Sequence, residues 1–200
     1  IDASAYELGD VLVAIDQDQK SQEFQLHYDN GSNVHATFGA YYMQENVPSY
    51  QEAYADDLFQ LFGAGIPFLR TIEDDLTTSK AAFAHVNWEF APSWTLAAGV
   101  RWTEDSKEYD RTTSTFWGAP YSVINETVAF SAQADWSATT PSISLQKAFS
   151  DNLMGYISAN RGFKSGGFNG RANTVADTRN AKFDPEFVWT YELGIKGSSA

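Results

Sequence analysis

"SWTLAAGVRWTED", residues 93–105, repeats with a period of two. Trp94, Leu96, Ala98, Val100 and Trp102 fall in one phase; Ser93, Thr95, Gly99, Arg101 and Thr103 fall in the other. A period of two belongs to a β-strand with two unlike faces, not to a helix. The same pattern recurs along the chain. "SQEFQLHY" sets Phe24, Leu26 and Tyr28 against Glu23, Gln25 and His27. "KAAFAHVNWEF" sets Ala82, Ala84, Val86, Trp88 and Phe90 against Phe83, His85, Asn87 and Glu89. "VWTYELGIKG" sets Trp189, Tyr191, Leu193 and Ile195 against Thr190, Glu192, Gly194 and Lys196. In these strands no charge stands in the apolar phase.

Three further runs are less regular. "NVHATFGAYYMQEN" (33–46) alternates, although Tyr41 and Met43 make its second face partly apolar. "TTPSISLQKAF" (139–149) places Lys147 in the apolar phase near a turn, where a lysine can snorkel to an interface. "NLMGYISANRGF" (152–163) admits either phase. The expected strands are therefore seven: about 20–28, 33–46, 78–90, 94–110, 131–149, 153–163 and 187–198.

The connections sort into two kinds. Asn30-Gly31, "APS" at 91–93 and "SDN" at 150–152 are tight-turn signals. Between them lie long connections, roughly 47–77, 111–130 and 164–186. Short and long alternate, so the two ends of the sheet face different surroundings. Outer-membrane barrels have this layout, with short periplasmic turns and long extracellular loops. Strands of about 9–11 tilted residues cross a bilayer, and a charge on the lipid face costs about 2–4 kcal/mol at the midplane. A soluble sandwich with one wet face would show the same alternation. An open sheet edge does not survive in lipid, and single-chain bacterial barrels close with an even strand count. Seven strands are accordingly expected to be part of a larger barrel, and both ends of the chain look cut.

Composition agrees. The 200 residues carry a net charge of −13, which disfavours nucleic acid and anionic lipid surfaces as partners held by charge. There is no cysteine, so neither a disulfide framework nor a Cys-based metal site exists, and no apolar run approaches the length of a membrane helix. Aromatics make up 15%, including six Trp, which a soluble protein would use in a sandwich core and a membrane barrel as interfacial girdles.

"RGFKSGGFNG" (161–170) invites a phosphate-loop reading at Lys164-Ser165. The residue before the Lys is Phe163, the glycines follow the Ser, and no helical repeat comes after. The spacing excludes it, and the glycines suit a strand turning at a rim. Arg161, Lys164 and Asn169 are the expected ligand-binding residues there. His85, Glu89, Arg101, Glu192 and Lys196 share the polar phase and are expected to line the lumen. Glu73-Asp74-Asp75 and Asp56-Asp57 lack Ca²⁺-loop spacing and read as a solvated acidic loop. "SYQEAYADDLFQLFG" has Tyr50, Ala53, Tyr54, Leu58 and Leu61 at near-helical spacing, suggesting a short loop helix. The three histidines are scattered without ligand spacing. No metal site, no cofactor and no nucleophile–base constellation can be read, so an enzyme is not expected.

"ISANRGFKSGGFNG" followed by "FDPEFVWTYELGIKG" resembles the barrel of TonB-dependent outer-membrane receptors. "SQEFQL", "AAFAHVNWEF…WTLAAGVRWTED" and "TPSISL" look like preceding strands of that family, so the resemblance runs over about residues 20–198. It is specific at 156–170 and 183–196. The resemblance implies an all-β antiparallel transmembrane barrel of twenty-two strands with an N-terminal plug inside, in the outer membrane of a Gram-negative bacterium. It implies outer-membrane lipid as surroundings and a TonB energy-coupling partner reached through the plug, which this chain lacks. It also implies import of a scarce nutrient, with a ferric siderophore as default. All 200 residues would then belong to one barrel domain. The alternatives are a soluble all-β ligand- or carbohydrate-binding module and a passive outer-membrane channel.

Overall fold

The computed structural model describes residues 10–54, 68–116 and 124–198. Its strands are β1 (Asp10–Ile15), β2 (Asp18–Asp29), β3 (Val34–Asn46), β4 (Ser49–Tyr54), β5 (Phe68–Ala91), β6 (Trp94–Phe116), β7 (Ile124–Ser150), β8 (Leu153–Lys164), β9 (Gly167–Phe168), β10 (Lys182–Phe183) and β11 (Glu186–Gly197), with one helical turn, α1 (Val175–Thr178). All pairings are antiparallel. β9 and β10 form a small separate ribbon.

β1 and β2 together oppose β4 and β3 in one unbroken register, from Asp10 opposite Tyr54 to Asp29 opposite His35. The interruption falls where Pro48 has no N–H to give the ladder. There Asp16 N donates to Pro48 O at 3.1 Å, and Val47 N donates to Asp75 O at 2.9 Å. Counting these as single paths, the sheet is a seven-path meander: β1–β2, β3–β4, β5, β6, β7, β8 and β11. Its two ends do not meet, so the sheet is an open wall.

Register fixes the faces. Ala84 opposes Val100, which opposes Pro141, and Leu145 opposes Ile157, which opposes Leu193. The phase holding Trp94 to Trp102 therefore runs across the whole sheet as one apolar belt. Its members remain bare: Phe24 is 71% exposed, Leu193 85% and Ile195 75%. A contiguous apolar surface of that extent belongs in hydrocarbon or an interface, not in water. On β6 the belt covers nine residues, matching the length needed to cross a bilayer. β8, ambiguous in sequence, joins it with Leu153, Gly155, Ile157, Ala159 and Phe163. Lys147 lies in the belt phase and caps the Trp94 ring, its Nζ 4.3 Å from the centroid.

The strands outrun the expected boundaries. β6 continues from Thr103 to Phe116, fourteen residues past the belt, or about 46 Å at ~3.3 Å per residue. β5 and β7 rise with it. Much of the expected long connections 47–77 and 111–130 is thus strand, and β1 is an addition. The expected loop helix is also corrected. Tyr50 and Tyr54 lie in β4, while Leu58 and Leu61 fall outside the described residues.

The tight turns stand at the opposite end. The Asn30-Gly31 turn is a four-residue loop, not two. Asn30 Oδ1 accepts from the N–H groups of Ser32, Asn33 and Val34, each at 3.0 Å, and Gly31 takes φ 72°. Ser93, between β5 and β6, also has a positive φ of 68°.

Candidate functional site

Above the belt, the inner phase of the wall holds buried and half-buried polar groups. Thr71, Glu73 and Asp75 come from β5; Tyr109, Arg111 and Thr113 come from β6. Glu73 is the centre. Its carboxylate accepts from Tyr109 OH at 2.9 Å and Ser49 Oγ at 3.2 Å, and pairs with Arg111 Nε at 2.8 Å. The Arg111 side chain is only 6% exposed. Its Nη2 donates to Asn173 Oδ1 at 2.8 Å, whereas Nη1 is buried without a partner. Burial, then the hydrogen bond to Glu73, raises the Tyr109 phenol well above its ordinary range. Burial likewise raises the Asp75 carboxyl, and its Oδ1 has no hydrogen-bond partner. These acids were expected in a solvated loop. Glu73 and Asp75 instead point inward from a strand.

Asn173 belongs to a strap, residues 165–185, that leaves the top of β8 and folds back over this inner face. Phe168 anchors it. Its ring stacks on Tyr109 (5.9 Å, 18° between planes) and contacts Phe130 at 6.0 Å and Trp136 at 5.9 Å. The glycines of "KSGGF" allow the approach. A Cβ on Gly166 would stand 2.4 Å from the Trp136 ring and 2.5 Å from Phe183 O, and one on Gly167 would stand 2.7 Å from the Phe183 ring. Their reason is close packing. Lys182 completes the contact from above, 5.3 Å from the Trp136 ring centroid. The capping box of Thr174 with Asp177 caps the N-terminus of α1.

The expected ligand residues do not converge. Arg161 lies in the belt phase. It stacks on Phe187 at 4.2 Å and donates to Thr139 O at 3.2 Å, on the side of the wall away from the strap's contacts. Lys164 is exposed and stands 3.9 Å from Glu186 at the strap's root. Asn169 is exposed and spends its side chain on a turn, accepting from Arg171 N at 3.0 Å. Its N–H donates to Ala181 O at 2.7 Å.

His85, Glu89, Arg101, Glu192 and Lys196 all share the inner phase by register. Arg101 lies 5.5 Å from both Phe83 and Tyr41, and the Phe83 ring covers Gly39, where a Cβ would be 2.2 Å away. Lys196 lies 5.3 Å from Tyr156, whose ring covers Gly194 in the same way. Glycine, ring and cation are stacked in that order twice. The three histidines, far apart in sequence, reach neighbouring strands of this face. His27 meets Thr37 Oγ1 at 3.1 Å and His35 meets Asp29 at 3.2 Å, while His85 leans over Gly99. Among the described residues no three donors are placed to hold a metal ion.

The cluster of Glu73, Tyr109, Arg111, Phe130, Trp136 and Phe168 was not foreseen. A signal existed. In β7 the apolar residues sit at Ile143 and Leu145 in the belt, then change phase to Val128, Phe130, Ala134, Trp136 and Ala138 above it. That inversion marks where the outer face leaves lipid and the inner face gains a cover.

A wall with a lipid-width apolar belt, a polar inner face and a tall extension past one rim defines a segment of a transmembrane β-barrel. The sequence profile described as "TonB dependent receptor-like, beta-barrel" matches residues 3–199, so the chain belongs to the TonB-dependent receptor β-barrel family. Among solved structures it is similar to the ferric yersiniabactin uptake receptor FyuA from Yersinia pestis, with a TM-score of 0.74 and 17% identity. That match covers 95% of this chain and 28% of the FyuA chain, so the chain spans under a third of that receptor's length.

Proposed function

We propose that the whole protein of which this chain forms a part is an outer-membrane receptor of a Gram-negative bacterium. It binds a scarce nutrient outside the cell and imports it with energy delivered by TonB through a plug domain. The observation that carries this reading is the two-sided wall: a belt that fits hydrocarbon, and behind it an inner phase that is largely polar at the belt's level, gains an aromatic cluster above it and continues about 46 Å beyond the belt. A sandwich domain would bury its apolar phase against a second sheet, and none faces the belt among the described residues. Family membership supports the receptor class, and FyuA's role in ferric yersiniabactin uptake makes a ferric siderophore the substrate class to test first. Lys164 and Asn169, exposed on the strap and its root, are offered as ligand contacts; Arg161 serves the outer wall. The inner-phase groups His85, Glu89, Arg101, Glu192 and Lys196 line the aqueous path.

The test is uptake of ⁵⁵Fe-loaded siderophores by iron-starved cells carrying the full-length gene, compared with a gene deletion and a TonB deletion. Uptake that falls to background in both deletions is expected. Uptake that survives loss of TonB would favour a passive channel instead.

A further inference from the structure

We propose that the inner wall around Arg111 is a binding site for an anion bearing a flat aromatic ring, and that the strap fills this site with the chain's own substitutes. The proposal deepens the receptor reading, because a ligand arriving from outside is what would take the strap's place.

Arg111 is a fixed cation at the base of the site. Its guanidinium has five N–H donors, Glu73 and Asn173 engage two of its nitrogens, and Nη1 is buried with no partner. A buried guanidinium with an unfilled nitrogen is a receptor for oxygen anions, since such donors are costly to leave empty. Beside it, Tyr109, Phe130 and Trp136 form an aromatic platform on the wall. What now occupies the pair is loop material. Phe168 puts a phenyl ring flat on Tyr109, and Asn173 puts an amide oxygen on Nη2. Ring and oxygen are the two elements a ring-bearing anion presents, and a carboxylate or phenolate would reach Nη1 as well as Nη2. Asn173 is exposed and neutral, a weaker partner for guanidinium than a charged oxygen. A Cβ added at Gly170 would meet Tyr109 OH at 3.4 Å and Glu73 Oε1 at 3.7 Å, so at this point the strap leaves room for a side chain.

The test uses the full-length receptor in detergent and benzoate as probe, with benzyl alcohol as the neutral ring control. Phe168→Ala with Asn173→Ala removes both substitutes. We expect benzoate to bind this double variant at least tenfold more tightly than wild type, with no such gain for benzyl alcohol. Adding Arg111→Lys should abolish the gain. If the double variant fails to assemble, Asn173→Ala alone should give about a threefold gain. Equal benzoate affinity in wild type and in an assembled variant overturns the proposal, and so does an equal gain for benzyl alcohol. Binding is read without transport, so a failure of the uptake assay leaves this outcome separate.

Discussion

Replacing Gly166 with Ala tests the seating of the strap. The added Cβ would lie 2.4 Å from Trp136 and 2.5 Å from the Phe183 carbonyl oxygen. Phe183 lies in the strap itself, so that clash strains the β9–β10 ribbon, while the clash with the Trp136 ring pushes the strap off the wall. Burying the Phe168 side chain contributes about 2 kcal/mol, and its three ring contacts add roughly 0.5–1.5 kcal/mol each. Docking is then worth about 3.5–6.5 kcal/mol. Forcing a methyl into a packed site costs about 1–3 kcal/mol. The strap therefore stays mostly docked, but its open population rises by about 30-fold for a 2 kcal/mol loss. Arg171 and Arg179 are exposed strap residues and trypsin sites. Cleavage that follows the open population should accelerate by the same factor in the full-length receptor. Gly170→Ala is the control. Its Cβ would meet only Tyr109 OH at 3.4 Å and Glu73 Oε1 at 3.7 Å, so cleavage should change less than twofold. Equal rates for the two variants would refute the packing argument.

Glu73→Gln should destabilise the upper wall by about 3 kcal/mol, the low end for stranding a buried charge, because Glu73 itself is a quarter exposed; denaturant unfolding in detergent measures it. Asp75→Asn should stabilise the receptor at neutral pH. The Asp75 pKa is raised in the folded state, so stability lost at neutral pH returns as pH falls through that folded pKa, and the gap between variant and wild type should close in acid. Glu52 behaves oppositely. Hydrogen bonds from Tyr50 and Tyr54, with Arg70 beside it, hold its carboxyl below the usual range, so its contribution is present above its ordinary pKa of 4.5 and disappears as pH falls through the depressed value; Glu52→Gln should flatten that acid limb in urea unfolding at graded pH. Ser93→Gly should add about 0.5–1 kcal/mol, since the turn holds Ser93 at φ 68°; the midpoint of urea unfolding should rise.

The belt could be read from the sequence because lipid imposes a single rule on one phase, which Lys147 and Arg161 break, each laid over an aromatic ring. Trp94 to Trp102 and Trp189 to Ile195 follow that rule without exception. Above the belt the rule lapses. Glu73-Asp74-Asp75 has the composition of a loop, yet it alternates Glu73 and Asp75 inward with Asp74 outward, held by ladders to β4 and β6 that composition does not reveal. Strand propensity yields there to pairing with neighbours already in register. The candidate site was illegible for a related reason. Arg111 and Asn173 are 62 positions apart and meet only because the strap folds inward. The glycines of 161–170 stand out in the sequence, but their contacts with Trp136 and Phe183 depend on that same fold. Arg161 stands in a strand that the sequence can phase either way, and the register with Trp189 places it in the belt phase.

The most direct test of the account is a cysteine scan along β6 in the full-length receptor on intact cells, using a membrane-impermeant thiol reagent. This chain contributes no native cysteine to the background. From 94 to 102 the even positions should resist labelling while odd positions react. From 104 to 110 the even positions should become reactive, as the outer face leaves the lipid, while Tyr109, Arg111 and Thr113 stay protected under the strap and within the wall. Even positions 94–102 that label freely would contradict a membrane-spanning wall and return the chain to the soluble β-sheet proteins.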